Sequence, residues 1–162
     1  MIALRIRNAE PEDTSLILEF IRGLAEYERL LHEMVADEAL LRHHLFGAKP
    51  MAEVILAEWE GKPAGFALFF HNFSTFLGRP GIYLEDLFVL PGMRGRGIGK
   101  ALLVHLAGLA RERGCGRLEW SVLDWNEPSI GFYKKLGAVA KEEWSIFRVT
   151  GEALSRLADG NA

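Results

Sequence analysis

The sequence predicts a mixed α/β domain built on one sheet, and three observations carry that reading. Apolar runs of strand length alternate with longer stretches of helical period. Gly, Pro, Asn and Asp punctuate most of the changes between them. One stretch, Gly81 to Gly114, reads as apolar strand, glycine-rich turn and long amphipathic helix in direct succession, and the rest of the chain frames it.

Leu4 to Arg7 alternates apolar and basic residues, a short edge-type strand, and Asn8 to Pro11 turns out of it. Asp13 or Thr14 caps a helix whose stripe is Leu16, Ile17, Phe20, Ile21 and Leu24, ending in Glu26-Tyr27-Glu28-Arg29. After a connection over Leu31 to Met34, Asp37-Glu38 opens a second helix through Leu40, Leu41 and Leu45 to Gly47. Glu53 to Trp59 and Ala64 to Phe70 are strands joined by the turn Glu60-Gly61-Lys62-Pro63. Phe66, Leu68 and Phe70 on one face and Ala67 and Phe69 on the other make the second of these an interior strand.

A loop over Asn72 to Pro80 leads to the central strand, Ile82 to Leu90, stopped by Pro91-Gly92. From Ile98, apolar Ala101, Leu102, Leu106, Leu109 and Ala110 recur at helical spacing until Gly114. Arg117 to Leu123 forms the next strand. Asn126 then caps a helix with Pro128 early and Gly137 at its end. Ala138 to Trp144 and Ser145 to Val149 read as terminal strands, Gly151 to Ala158 as a short helix, and Asp159 to Ala162 as a frayed tail. No repeat, low-complexity segment or linker interrupts the chain, which reads as a single domain over 1–162 with its core at 4–158.

Between central strand and helix lies Arg94-Gly95-Arg96-Gly97-Ile98-Gly99-Lys100. Without Cβ atoms the three glycines let backbone approach a ligand and gather N–H groups into one concavity, which a helix N-terminus biases toward anions such as pyrophosphate. A P-loop requires a glycine where Arg94 stands and a hydroxyl where Ala101 stands. A dinucleotide fingerprint requires G-x-G-x-x-G early in a βαβ unit, but the spacing here is G-x-G-x-G deep in the chain. Arg94, Gly97 and Gly99 do fit the pattern R/Q-x-x-G-x-G/A.

With that pattern, and with Asn126 to Gly137 matching N-x-x-x-x-x-F-Y-x-K-x-G, the chain resembles the GNAT superfamily of acyl-CoA-dependent N-acetyltransferases. The run Trp125 to Lys134 (WNEPSIGFYK), with YLEDLFV before the glycine loop and LAEYE at Leu24 to Glu28, resembles the diamine (spermidine/spermine) and thialysine branch. The resemblance implies a mostly antiparallel sheet of about seven strands with helices on both faces. It also implies a splayed strand pair that admits the pantetheine arm, acetyl-CoA as co-substrate, and a homodimer.

Acetyl transfer to an amine needs an anchored thioester, a polarised carbonyl, a neutral nucleophile and a proton for the departing thiolate. The resemblance places anchoring at Arg94, Gly95, Arg96, Gly97, Ile98, Gly99 and Lys100, with Asn126, Pro128 and Ser129 alongside, and carbonyl polarisation at the backbone of Leu87, Phe88 and Val89. An ammonium of pKa about 10 must lose its proton before it attacks. Glu85 interrupts an apolar strand where a carboxylate is costly without a partner, so it is the candidate base or water relay. A structural ion pair or a solvated strand end is the alternative, for Glu85 and for Asp86 as a substrate contact. Tyr133 matches the family's acid by position, against a plain core tyrosine. Tyr27 and Glu28 match the acceptor side, and Trp125 and Glu142 (or Glu143) are further acceptor candidates, although helix-end glutamates are commonly just solvated. The stretch Phe73 to Gly78 carries no acid, which favours lysine-like amines or small diamines over a long polyamine.

At 162 residues and 49% hydrophobic, the chain is large enough for a core without staples. A single cysteine, Cys115, excludes an internal disulfide framework and points to a reducing compartment. Neither a signal sequence nor a run of 18 apolar residues is present, so the expected location is cytoplasmic. Net charge −3 and a pI near 6.0 argue against nucleic acid. The five histidines show no metal-ligand spacing, so no metal is expected. Two other readings stay open: a GNAT enzyme acting on an amino acid, aminoglycoside or protein amine, and a CoA-binding module without catalysis.

Overall fold

The computed structural model describes residues 3–161, and Ala162 of the expected tail lies outside them. The described chain divides into two compact units, residues 1–123 and 124–162.

The first unit is built on a five-stranded sheet of order β1-β2-β3-β4-β5. Its strands are β1 (Leu4–Asn8), β2 (Glu53–Trp59), β3 (Lys62–Ser74), β4 (Arg79–Val89) and β5 (Leu118–Trp120). The first four are antiparallel neighbours, and β5 pairs in parallel with β4. A parallel neighbour needs a crossover, and α3 (Ile98–Glu112) supplies it. Helices α1 (Thr14–Tyr27) and α2 (Glu38–Phe46) come between β1 and β2.

Cross-strand register sorts the core into two layers. Leu56 of β2 and Phe88 of β4 both stand opposite Phe66 of β3, which puts the three on one face. That face packs under Ile17 and Phe20 of α1 and Leu45 of α2. The Phe20 and Phe66 rings stack at 5.5 Å. The opposite face buries Ile55, Ala67, Phe69, Ile82 and Leu84 against α3, whose Ile98, Leu102, Leu106 and Ala110 are buried. At the other end of the sheet Arg7 ties β1 to the start of α1, donating two bonds to Asp13 (2.7 and 2.9 Å) and one to Glu58 (2.8 Å). Those bonds hold the Asp13 carboxyl below its usual range.

Local expectations hold where the signal is local. Asp37 caps α2 by accepting from the Leu40 N–H at 2.8 Å. Gly114 follows α3 with φ 68°. The β2–β3 hairpin turns on Glu60 and Gly61, both with positive φ. Lys62 and Pro63, expected in that turn, belong to β3. The loop expected over Asn72 to Pro80 is mostly ladder: Asn72, Phe73 and Ser74 pair with Gly81, Pro80 and Arg79. Its Ser, Gly and Pro residues carry turn signals, and the hairpin partner overrides them.

In the second unit, α4 (Glu127–Lys135) starts at Asn126, whose side chain accepts from the Ser129 N–H at 3.4 Å. Gly137 ends it with φ 89°, and α5 (Gly151–Ala158) follows. The two terminal strands expected over Ala138 to Trp144 and Ser145 to Val149 are not formed, which is why the sheet has five strands and not about seven. Aromatic and β-branched content marks a segment able to pair, but a strand exists only where another strand offers its backbone groups. Val139, Ile146 and Phe147 accordingly stand exposed.

Candidate active site

The site begins at an irregularity in β4. Leu68 stands opposite Asp86 and Phe69 opposite Leu84, so Glu85 has no counterpart on β3 and forms a bulge. The extra residue resets the alternation. Below it Ile82 and Leu84 point to the α3 face; above it Asp86 and Phe88 point to the α1 face. Glu85 itself is exposed, and Asp86 is half-buried.

The bulge also coincides with the end of the β4–β5 ladder. Only Ile82, Tyr83 and Leu84 pair with Leu118, Glu119 and Trp120. Among the described residues, Glu85 to Val89 have no strand partner on that side. The edge of β4 that faces away from β3 at Leu87 and Val89 is therefore open to a thin ligand, although the Val89 carbonyl there already accepts from Arg94 Nε.

Helix α1 reaches this edge because Gly23 lets it. A Cβ at Gly23 would lie 2.8 Å from Phe88 Cζ, so only hydrogen fits between helix and ring. One turn on, Tyr27 and Glu28 come over the upper half of β4. Burial and the Glu85 charge raise the Glu28 carboxyl above its ordinary range. Asp86 is pushed up to about 7, first by burial and then by Glu85 and Glu28. Three carboxylates thus share one small region, and a cation there would relieve all three.

Beyond β4 the chain makes a tight turn at Pro91–Met93 and enters α3 through Gly95 and Gly97, both with φ 77°. Gly97 is the N-cap of α3 and has no side chain with which to satisfy the first-turn N–H groups. A Cβ at Gly95 or Gly97 would meet nothing within 4 Å, so open space lies beside that stretch of backbone. A 15-residue helix ending in uncapped donors beside open space fits a diphosphate. Ile98 is buried as the anchor of that end, and Lys100 is exposed on the first turn.

Both arginines of the loop turn back onto the sheet. The Arg94 guanidinium lies 5.0 Å from the Tyr27 ring centre and 5.7 Å from that of Phe88, and its Nε donates to the Val89 carbonyl at 3.0 Å. Arg96 lies 5.3 Å from the centre of the Trp59 ring. Trp59 Nε1 is buried with no hydrogen-bond partner among the described residues.

The first unit therefore gathers Tyr27, Glu28, Glu85, Asp86, Leu87, Phe88, Val89 and the Arg94 to Lys100 loop around the upper end of β4. Trp125, Asn126, Pro128, Ser129, Tyr133 and Glu142 belong to the second unit. There Asn126 is buried at the head of α4, Tyr133 is half-buried on it with its ring 5.5 Å from Phe132, and Glu142 is exposed. Gly23 and the clamping role of Arg94 have no sequence signal, since each depends on a residue far away in the chain. The bulge could have been suspected from two adjacent carboxylates inside an apolar strand. Among the described residues, no group of three or more His, Cys, Asp or Glu is placed to hold a metal, and no helix is long and apolar enough to cross a membrane.

A bulged strand parting from its parallel neighbour and feeding a glycine-headed helix is the architecture of an acyl-CoA-binding transferase, and comparison with known proteins agrees. The model of the acetyltransferase (GNAT) family matches residues 17–138. A thialysine N-epsilon-acetyltransferase of Mus musculus is 39% identical, over 98% of this chain and 99% of its own. An L-ornithine N5-acetyltransferase of Arabidopsis thaliana is 33% identical, over 94% of this chain and 87% of its own. An integron cassette protein from the mobile metagenome of V. cholerae superposes with a TM-score of 0.81 at 29% identity, covering 98% of this chain and 99% of that one. The chain belongs to the GNAT family. It is an acetyl-CoA-dependent N-acetyltransferase.

Proposed function

We propose that this enzyme acetylates a side-chain or terminal primary amine of a small cationic acceptor of lysine-like or diamine type. The observation that carries this reading is the carboxylate cluster at the upper end of β4, with Asp86 near 7 beside Glu85 and Glu28. Such a cluster attracts an ammonium and, in Asp86, contains a group whose proton affinity suits its removal at neutral pH. Relatives named for thialysine and ornithine support the same class.

Proton acceptance is assigned to Asp86 and Glu85 together. Half-buried Asp86 meets the ammonium, and exposed Glu85 passes the proton to solvent. Glu28 holds the acceptor's charge, Tyr27 forms the wall beside it, and Trp125 and Glu142 are kept as further acceptor contacts. Acetyl-CoA supplies the activated acyl group. The glycine loop, with Asn126, Pro128 and Ser129, holds its diphosphate and pantetheine, and Leu87, Phe88 and Val89 offer backbone donors to the thioester carbonyl. Tyr133 returns a proton to the thiolate; with a thiol pKa of about 8.5 that proton assists without being indispensable. The chain is further read as one domain, which a family match running through 17–138 supports, and as a cytoplasmic homodimer needing no metal, nucleic acid or membrane.

The test is thiol release from acetyl-CoA with lysine, thialysine, ornithine, putrescine and spermidine side by side. Turnover of thialysine, ornithine or putrescine with a higher kcat/KM than spermidine is expected. A best substrate among aminoglycosides or peptide N-termini would move the acceptor class, and CoA binding without turnover of any amine would leave a non-catalytic module.

A further inference from the structure

The glycine loop and the carboxylate cluster serve two different substrates, yet one side chain touches the frame of both. Arg94 sits in the phosphate-binding turn, but its guanidinium crosses the end of β4 and rests on Tyr27 and Phe88. Its Nε is held by the Val89 carbonyl, which fixes the plane of the group. Tyr27 stands next to Glu28 at the end of α1, and Phe88 lies two residues beyond Asp86 on the same face. The rings that Arg94 grips thus neighbour two of the three carboxylates, Tyr27 along the chain and Phe88 on the same strand face.

The kind of contact matters as much as its location. The causes acting on Asp86 and Glu28 are burial and neighbouring carboxylates, all of which raise the pKa. Arg94 meets ring faces and a carbonyl there, so it can hold the wall of the acceptor site without neutralising the charge that attracts an amine. A lysine in its place would keep the positive charge but lose the planar group that bridges two rings and a carbonyl.

We infer that Arg94 is a positioning residue linking the acyl-CoA loop to the amine site, so that occupation of the loop by CoA strengthens amine binding through the Arg94–Tyr27–Phe88 clamp. The inference rests on the amine-acceptor reading above. It goes further in making the two substrates bind cooperatively, and by linkage the amine strengthens CoA binding by the same factor.

Calorimetry tests it with putrescine and thialysine titrated into the full chain, with and without saturating CoA. Wild-type enzyme should bind the amine about 10-fold more tightly when CoA is present, within the range usual for coupled sites. In Arg94→Lys that ratio should fall toward 1, whatever the change in CoA-free amine affinity. Tyr27→Leu should abolish the ratio too, and the double variant should lose no more than either single one. A ratio of 1 in the wild type, or a wild-type ratio preserved in Arg94→Lys at saturating CoA, overturns the inference. The second result would confine Arg94 to contact with the phosphates. Wild-type turnover of the amine panel fails or succeeds independently of these ratios, so the acceptor reading and the coupling are separable.

Discussion

The two halves of β4 differ in almost every respect although eleven residues make one strand. Ile82 and Leu84, below the bulge, have strand partners on both sides and are fully buried against α3. Asp86 and Phe88, above it, have a partner on one side, face α1 and keep a carboxyl near 7. The lower half has its backbone bonds satisfied and its side chains desolvated, which is what stability requires. The upper half gives up a ladder and buries a charge, which is what a binding edge requires. Glu85 is the single inserted residue that separates them.

The contrast is broken most severely from above. Asp86→Asn should lower kcat/KM about 10²- to 10⁴-fold, or about 3 to 5 kcal/mol of barrier, and flatten the acid limb of the pH–rate profile. Thermal stability should be unchanged or higher, because a costly buried carboxyl is gone. Retained activity would remove Asp86 from the chemistry. Leu84→Ala is the reciprocal experiment: denaturant unfolding should show a loss of about 2 to 5 kcal/mol, with kcat of the folded enzyme within about 3-fold of wild type. A large kcat effect there would mean that the lower half is not a passive scaffold.

A pH series sharpens the same comparison. The Asp86 carboxyl is raised to about 7 in the fold, against about 3.9 when free, so between those values the folded chain holds a proton that the unfolded chain has lost. Its contribution to stability is present at low pH and declines as pH rises through that window. Glu28 acts in the same direction, and Asp13 and Glu53 in the opposite one, so the whole-protein curve mixes signs. The difference between wild type and Asp86→Asn isolates one group. Unfolding measured at pH 5 and pH 8 should favour the variant more at pH 8, by about 1 to 3 kcal/mol, and an unchanged difference would contradict the buried carboxyl.

The smallest effect is expected at Gly23→Ala. Overpacking against the Phe88 ring, about 1 to 3 kcal/mol, outweighs a helix-propensity gain of about 1 kcal/mol, leaving a net loss of about 1 kcal/mol. The amine KM should rise several-fold as α1 is pushed off β4, with CoA affinity untouched. A stability gain with unchanged KM would show that helix and ring have room to spare.

The elements of the first unit are legible in the chain because their signals are local. The apolar stripe of α1, the Asp37 cap, the turn at Glu60-Gly61 and the glycine entrance to α3 follow from period and backbone sterics alone. The motif Arg94-x-x-Gly97-x-Gly99 likewise marks the glycine-headed start of α3, since N–H groups at a helix head need no distant partner. Strand limits are less legible because a strand is half of a pair: β3 and β4 extend through a stretch rich in turn residues, and 138–149 carries strand-forming residues without a ladder.

What the sequence determined by itself is the fold class, the glycine entrance to α3 and the family, all properties of short-range spacing. Only the tertiary structure decided that Asp86 faces inward while Glu85 faces water, that Gly23 admits Phe88, and that Arg94 closes on Tyr27 and not outward. Each of these depends on which residue stands opposite, and register and close approach are set by the packed partner, not by the chain's own periodicity.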